Sequence, residues 1–159
     1  MNINDINAGT LNDYLVSLGI QVIGCSQTQD NVFSCQCVDP NQQAQADEIC
    51  KTFPPLDVVK QHAAKALYTQ AIGTVEQRYP PTVQAGFAVM MATGKPNQAA
   101  YCKQLFAWGM SVTGAYAEAV AQINAATDAD TINSISLDIV SLLNADPGVS
   151  LVVAGSITD

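Results

Sequence analysis

Apolar residues recur at helical spacing through most of the chain after Pro54. Between residues 56 and 78 they fall every four positions, at Val59, Ala63, Leu67, Ala71 and Val75. This spacing places the side chains on one face of an α-helix. Tyr79-Pro80-Pro81 is expected to end the helix, because a residue that precedes proline is disfavoured in the α region.

Three further helices are predicted after the double proline. Residues 82–93 are expected to form an apolar core helix that contains VQAGFAVMM and is ended by Gly94-Lys95-Pro96. Residues 97–126 form the longest helix, with a bundle-like seam at Tyr101, Leu105, Trp108, Val112, Ala115 and Ala119. A last helix carries Ile132, Ile135, Ile139 and Leu142. The pattern therefore predicts a helical bundle over residues 54–145.

Residues 1–53 follow a different pattern, which predicts a small α+β lobe. A short helix over residues 10–18, with apolar positions Leu11, Tyr14, Leu15 and Leu18, ends at Gly19. The strands IQVIG and NVFSCQCV flank the turn SQTQD and form a short β-hairpin. Asp39 then caps a helix that begins at Pro40 and ends before Pro54. The predicted fold class is mainly α, with this N-terminal lobe attached to the bundle.

The last 14 residues, 146–159, are predicted to form an extended, apolar, β-prone tail. After the turn Asp146-Pro147-Gly148, the segment VSLVVAGSITD is rich in strand-forming residues. It can add a third strand to the hairpin of the same chain, pair with the sheet edge of a neighbouring subunit, or remain disordered. The candidate interface residues are Val149, Leu151, Val152 and Val153.

The charge composition argues against nucleic acid as a partner. The net charge is −8, and the six cations all lie between Lys51 and Lys103, so the basic patch that phosphates require is missing. Charged residues make up 13% of the chain, against a usual share of about 25%. An uncharged surface favours contacts between protein subunits, in an oligomeric assembly with other copies or with partner proteins. The alternative is a monomer whose surface is covered by Gln, Asn, Ser and Thr.

The N-terminal sequence and the apolar runs predict neither export nor membrane insertion. MNINDINAGTLNDY has no basic start and no apolar signal region. No apolar run approaches the roughly 20 residues of a membrane-spanning helix. We therefore expect a chain that is made in a cytoplasm, with no membrane partner.

The five cysteines leave three interpretations open. Cys35-Gln36-Cys37 has one residue between its thiols, whereas structural zinc sites use pairs separated by two to four residues. On a strand, Phe33, Cys35 and Cys37 share one face, which favours buried free thiols. A disulfide that joins Cys25 to Cys35 or Cys37 is a second interpretation, and a metal site is a third.

The sequence contains no convincing catalytic or cofactor-binding motif. His62 is the single histidine, and no acid or nucleophile lies near it at a recognisable spacing. Asp128 and Asp130 match the first two positions of a calcium loop, but the central Gly and the final Glu are missing. A helix N-terminus explains these aspartates better. We predict no catalytic residues, no cofactor and no metal ligands.

Two segments resemble a known group of proteins. Residues 11–57 combine a helix that ends in Gly, two strands and a Gln/Ala-rich helix closed by an aromatic residue. Residues 78–135 combine a Tyr-Pro element, a long helix with a central Trp, and the element INAATD before a last helix. Both resemble small tail, baseplate or tail-fibre-associated proteins of tailed bacteriophages, although the Arg-rich helices common in that group are missing here.

The resemblance implies a non-enzymatic structural component of a phage virion, assembled in the bacterial host cytoplasm. Its partners would be other phage structural proteins or copies of itself. A tail or tail-fibre assembly chaperone that leaves the finished particle is the first alternative. A small ligand-binding domain, or an enzyme that uses His62 and a cysteine, is the second.

Overall fold

A computed structural model describes residues 6–94 and 96–148 of the chain. Within these residues the prediction of a mainly α fold with a short N-terminal hairpin is confirmed. The elements in chain order are α1 (Ala8–Ser17), β1 (Val22–Gln27), β2 (Phe33–Cys37), α2 (Pro40–Thr52), α3 (Leu56–Arg78), α4 (Pro81–Thr93), α5 (Pro96–Ala125), α6 (Ala129–Ser134) and α7 (Ile139–Asn144). The predicted apolar tail, with Val149, Leu151, Val152 and Val153, lies outside the described residues.

The described residues divide into two compact units. The first contains the chain up to Ala63 together with Ile123–Ser134, and the second contains Ala64–Gln122 together with the chain from Ile135 onward. Both α3 and α5 contribute residues to each unit. Within the first unit, the Lys60 ammonium donates a hydrogen bond to the carbonyl of Asn124 at 2.8 Å.

The N-terminal elements form where local capping and turn chemistry favour them. The Asn7 side chain caps α1 by accepting hydrogen bonds from the backbone of Gly9 and Thr10. Gly19 follows α1 with φ of 80°, the left-handed conformation typical of the residue after a helix. The strands β1 and β2 pair antiparallel, with Cys25 opposite Cys35. Asn31 turns the chain between them with φ of 58°.

The two long helices bury the faces that their periodicity predicts. On α3, the positions Val59, Ala63, Leu67 and Ala71 are buried, and Val75 packs against the core at their C-terminal end. On α5, Leu105, Trp108, Val112 and Ala119 are buried, whereas Tyr101 and Ala115 are half-buried. The bundle seams are therefore confirmed over most of their length.

The prediction that residues 82–93 form a core helix is wrong in one respect. The helix α4 forms, but it has no buried residue. Val89 is 61% exposed and Val83 is 40% exposed. The physical reason is that α4 is covered along one side only, where Gln84, Phe87, Met90 and Met91 are half-buried, while its other residues are exposed.

Two smaller predictions are also corrected. The single last helix is instead two short helices, α6 and α7, because Asp138 interrupts the pattern. Its carboxylate accepts hydrogen bonds from the backbone and the hydroxyl of Ser141, at 3.0 and 2.7 Å, and so starts α7 anew. Leu18, predicted to lie on the apolar face of the first helix, is 48% exposed because α1 already ends at Ser17.

None of the described helices has both the length and the apolar character needed to cross a bilayer.

A candidate interaction groove between α4 and α5

The second unit contains a small apolar groove lined by residues of α3, α4 and α5 and by Tyr79. Its volume is about 100 Å³. The residues that define this apolar groove include Tyr79, Phe87, Leu105, Phe106, Trp108 and Met110. Aliphatic and aromatic side chains dominate its surface, and Gln84 adds a polar group. The groove is therefore suited to an apolar group.

Three aromatic rings give the groove a well-ordered wall. The rings of Tyr79 and Trp108 meet edge to face, with centroids 5.7 Å apart and planes at 78°. The rings of Phe87 and Tyr79 also meet edge to face, with centroids 5.5 Å apart and planes at 68°. Edge-to-face pairs are favoured by the ring quadrupoles. The indole N–H of Trp108 donates a hydrogen bond to the carbonyl of Leu142 at 2.7 Å, so that its polar atom is satisfied.

Tyr79 is held in place by a buried carboxylate. Its hydroxyl donates a hydrogen bond to Asp146 Oδ1 at 2.7 Å, and Asp146 is only 4% exposed. The same oxygen accepts a hydrogen bond from the backbone N–H of Gly148 at 2.9 Å. Arg78 Nε lies 3.7 Å from Asp146 Oδ2 and supplies an opposite charge. These partners satisfy a group that would otherwise be costly to bury.

The surroundings keep the Tyr79 hydroxyl protonated. Burial, and then the hydrogen bond to Asp146, raise the pKa of Tyr79 well above its usual value. Burial likewise raises the pKa of Tyr101. Tyr79 therefore acts as a neutral hydrogen-bond donor and not as a base or nucleophile at neutral pH.

The rim of the apolar groove is exposed and free of charge. Met110 is 68% exposed and Phe106 is 39% exposed on α5. The helix α4, which contributes Gln84 and Phe87 to the groove, carries no charged residue. Contiguous exposed apolar surface of this kind marks interaction sites in soluble proteins.

The size of the groove indicates which apolar groups it can accept. Pockets for cofactors and drug-sized ligands measure about 300–1,000 Å³, whereas this groove measures about 100 Å³. A volume of this order fits one hydrocarbon side chain. The arrangement can thus receive a side chain from a protein surface.

The residues singled out for possible chemistry are not assembled into a site. Within the described part of the chain, no group of three or more His, Cys, Asp or Glu side chains could hold a metal ion. His62 lies on α3 in the first unit, where its Nδ1 is buried and has no hydrogen-bond partner among the described residues. All five cysteines are free, and Cys37, Cys50 and Cys102 are buried. Asp128 accepts hydrogen bonds from Thr131 at the start of α6, as expected for a helix cap.

Sequence reasoning missed the apolar groove. It treated Tyr79-Pro80-Pro81 as a helix end, and the four predicted interface residues lie outside the described residues. One signal could have indicated the groove, because no charged residue occurs between Arg78 and Lys95. A helix that follows an aromatic residue and a double proline and carries no charged residue has no charged face to turn toward solvent.

Comparisons with known proteins identify no relative. No protein-family model, no curated protein and no solved structure matches this chain.

Proposed function

We propose that this protein is a non-enzymatic structural component that acts through protein–protein interfaces, and that α4 and the apolar groove form its contact with a second copy of the chain. The resemblance of residues 11–57 and 78–135 to small phage tail and baseplate proteins supports placing this role in the virion of a tailed bacteriophage. Such components are present in repeated copies, which makes self-association a natural test.

The observation that carries the proposal is the exposure of α4. This helix of 13 residues has no charge and no fully buried residue, and Phe87 provides its ring contact with Tyr79, whereas Val83 and Val89 are exposed. In water its apolar side chains are unfavourably exposed, and burial would return about 25 cal/mol for each Å² covered. A contact with another protein supplies that burial.

The same face carries both a protrusion and a cavity, which favours a second copy as the partner. In a two-fold symmetric contact, residue i of one subunit meets residue j of the other, and the reverse contact follows by symmetry. Met110 lines the apolar groove and is 68% exposed, so that it protrudes at the edge of the groove. The groove has the volume of one side chain, so that each copy can insert a residue into the other. The absence of charge on α4 also removes the repulsion that two identical charged helices would suffer.

The test is the mass of the purified protein in solution, measured by light scattering over a range of concentrations. We expect an oligomer that Met110→Glu converts to a monomer, because Met110 lines the groove and the substitution buries a charge at the contact. Val140→Glu is the matched control, since Val140 is 69% exposed on α7 and lies outside the groove. Both variants should keep the wild-type circular-dichroism spectrum, and Met110→Glu should melt lower than the wild type only at concentrations at which the wild type associates.

The same mass measurement on a chain that ends at Gly148 shows whether residues 149–159 or a second copy occupy the groove. A full-length monomer whose shortened form associates would mean that residues 149–159 cover the groove within one chain. A monomer in both forms would refute self-association. Detection of the protein in purified phage particles would support the virion role, whereas its presence only in unassembled complexes would favour an assembly chaperone.

A further inference from the structure

Four of the five cysteines lie close together in the first unit. Cys25 lies on β1, Cys35 and Cys37 lie on β2, and Cys50 lies on α2. Cys25 and Cys35 are directly opposite each other across the sheet. Closest of all, the Cys50 thiol donates a hydrogen bond to Cys35 Sγ, with the two sulfurs 3.6 Å apart.

The contact between these two sulfurs follows from a fixed position of α2 on β2. Gln43, near the start of α2, accepts a hydrogen bond from the Cys37 N–H at 2.9 Å and donates one to the Cys35 carbonyl at 3.0 Å. Ala46 is fully buried one turn later, and Cys50 follows after one more turn. Residues at i, i+3 and i+7 share a helix face. The strand and the helix are thus held together beside the thiols by bonds that do not involve sulfur.

We propose that Cys35 and Cys50 form a disulfide when the protein meets a small-molecule disulfide such as oxidised glutathione. The two sulfurs must approach from 3.6 Å to the bonded separation of about 2.05 Å. The proposal is independent of the function assigned above. A chain made in a reducing cytoplasm and later exposed to an oxidising medium would gain this cross-link.

The reaction proceeds by two thiol–disulfide exchanges. The thiolate of one cysteine attacks a sulfur of oxidised glutathione, which forms a mixed disulfide and releases one glutathione. The second cysteine then attacks the protein sulfur of that mixed disulfide, which forms the Cys35–Cys50 bond and releases the second glutathione. Two electrons pass from the protein to the oxidant, and the two thiol protons end on the released glutathiones.

Cys35 is half-buried and Cys50 is only 7% exposed, but each lines a pocket, so that we expect a slow reaction with the oxidant. Cys50 lines a pocket of about 360 Å³ beside Lys51, and Cys35 lines another of about 300 Å³ beside Cys25. Burial, and then the hydrogen bond from Cys50, raise the pKa of the Cys35 thiol to about 12. Because the thiolate is the reactive form, closure should be faster at pH 9 than at pH 7.

Cys25 is the competing partner for Cys35, and the geometry favours Cys50. Cys25 faces Cys35 through the pairing of the two strands, whereas Cys50 is in direct sulfur contact with it. The bond to Cys50 would also close a loop of about 15 residues that joins the hairpin to α2, which restricts the unfolded chain. A rise in melting temperature on the order of 5–10 °C is expected from a loop of that length.

The experiment uses the full chain, incubated with oxidised glutathione at pH 8.5 and then blocked with an alkylating reagent. Peptide mapping by mass spectrometry should show Cys35 joined to Cys50, and the free thiols should fall by two from the five present. The melting temperature should rise and return to its starting value with dithiothreitol. Cys102→Ala and Cys25→Ala should retain the cross-link, whereas Cys35→Ala and Cys50→Ala should lose it.

Two results would overturn the proposal. One is a map in which Cys35 is joined to Cys25, or Cys37 to Cys25, in the wild-type protein. The other is five free thiols after long incubation of the folded protein, with cross-links only in urea. Both results are read from the wild-type chain, so that a variant that fails to fold does not affect the conclusion.

Discussion

Tyr79 shows how one side chain can serve both stability and a surface. Its ring forms a wall of the apolar groove, in edge contact with Trp108 and Phe87. Its hydroxyl reaches the buried carboxylate of Asp146. A side chain at position 148 would collide with this hydroxyl, which accounts for Gly148 there. The residue that shapes the groove is therefore also the one that anchors the end of the described chain.

We predict that Tyr79→Phe destabilises the protein by roughly 1–3 kcal/mol, because Asp146 loses a hydrogen bond in a buried site. The ring and its contacts are retained. Urea unfolding followed by fluorescence of Trp108 measures the change. Tyr68→Phe is the control, since Tyr68 is 51% exposed and also contacts another aromatic ring. Equal unfolding midpoints for the two variants would contradict the role of the hydroxyl.

Two exposed aspartates act as helix caps and should make stability depend on pH. Hydrogen bonds from Thr131 lower the pKa of Asp128 below its ordinary value of 3.8, and hydrogen bonds from Ser141 do the same for Asp138. A folded-state pKa below the unfolded one means that the carboxylate stabilises the fold above the unfolded pKa. The contribution is lost as the pH falls through the folded pKa.

The double variant Asp128→Asn/Asp138→Asn isolates this effect, because Asn caps helices about as well as Asp but does not titrate. The melting temperature of the wild type relative to this variant should be highest above about pH 5. The difference should shrink as the pH is lowered below 3.8. Thermal unfolding by circular dichroism from pH 7 to pH 2.5 measures it. A difference that is constant across this range would show that the caps do not titrate as described.

At the level of elements, two glycines should respond to the same substitution with opposite sign. Gly19 follows α1 with φ of 80°. A Cβ added there would contact no other atom, but a residue with a side chain is strained at this φ. Gly73 lies between the two ends of α3, on its solvent-exposed side, where an added Cβ would also contact no other atom. The difference between them is therefore one of backbone conformation alone.

We predict that Gly19→Ala destabilises the protein by about 1 kcal/mol. Gly73→Ala should stabilise it by roughly 0.5–1 kcal/mol, because alanine restricts the unfolded chain and favours the helix. Chemical denaturation of both variants against the wild type measures the two changes. A shift in the same direction for both would contradict the assignment of Gly19 to a left-handed cap.

The elements that the sequence predicts well are those with a single apolar stripe. Residues 56–78 carry such a stripe, and α3 has the predicted bounds. The bounds of α4 were nearly right as well, because prolines and glycine delimit it. Its burial was wrong, because the apolar pattern of a helix does not determine how much of it neighbouring helices cover, and only one side of α4 is half-buried. The division into α6 and α7 depends on one side-chain cap at Asp138, which competes with an otherwise helical pattern. The groove depends on which helices meet, and periodicity within one helix contains no such information.

On the scale of the whole molecule, the low charge of the sequence has a counterpart in the fold. Uncharged, exposed apolar positions cluster on α4 and on the side of α5 that carries Phe106 and Met110. The first unit also buries apolar side chains such as Leu11 and Leu15, and Gln43 joins α2 to β2 by hydrogen bonds within it. What distinguishes the second unit is the apolar groove beside the exposed Phe106 and Met110.

The last turn of the described chain gives a prediction for the whole molecule. We expect a chain ended at Asn144 to be less stable than a chain ended at Gly148, because only the longer one retains Asp146 and the partners of its carboxylate. The shorter chain leaves the Tyr79 hydroxyl without its acceptor and leaves Arg78 without its counter-charge. A loss of roughly 1–3 kcal/mol is expected from the unsatisfied hydroxyl.

Differential scanning calorimetry of the two truncated chains measures this difference directly. Asp146→Ala in the chain that ends at Gly148 is the matched control, because it removes the carboxylate and keeps the length. If the carboxylate is the cause, this control should melt close to the chain that ends at Asn144. A control that melts with the chain ended at Gly148 would instead assign the stability to backbone contacts of residues 145–148. That result would also weaken the role of Tyr79 as the anchor of the groove.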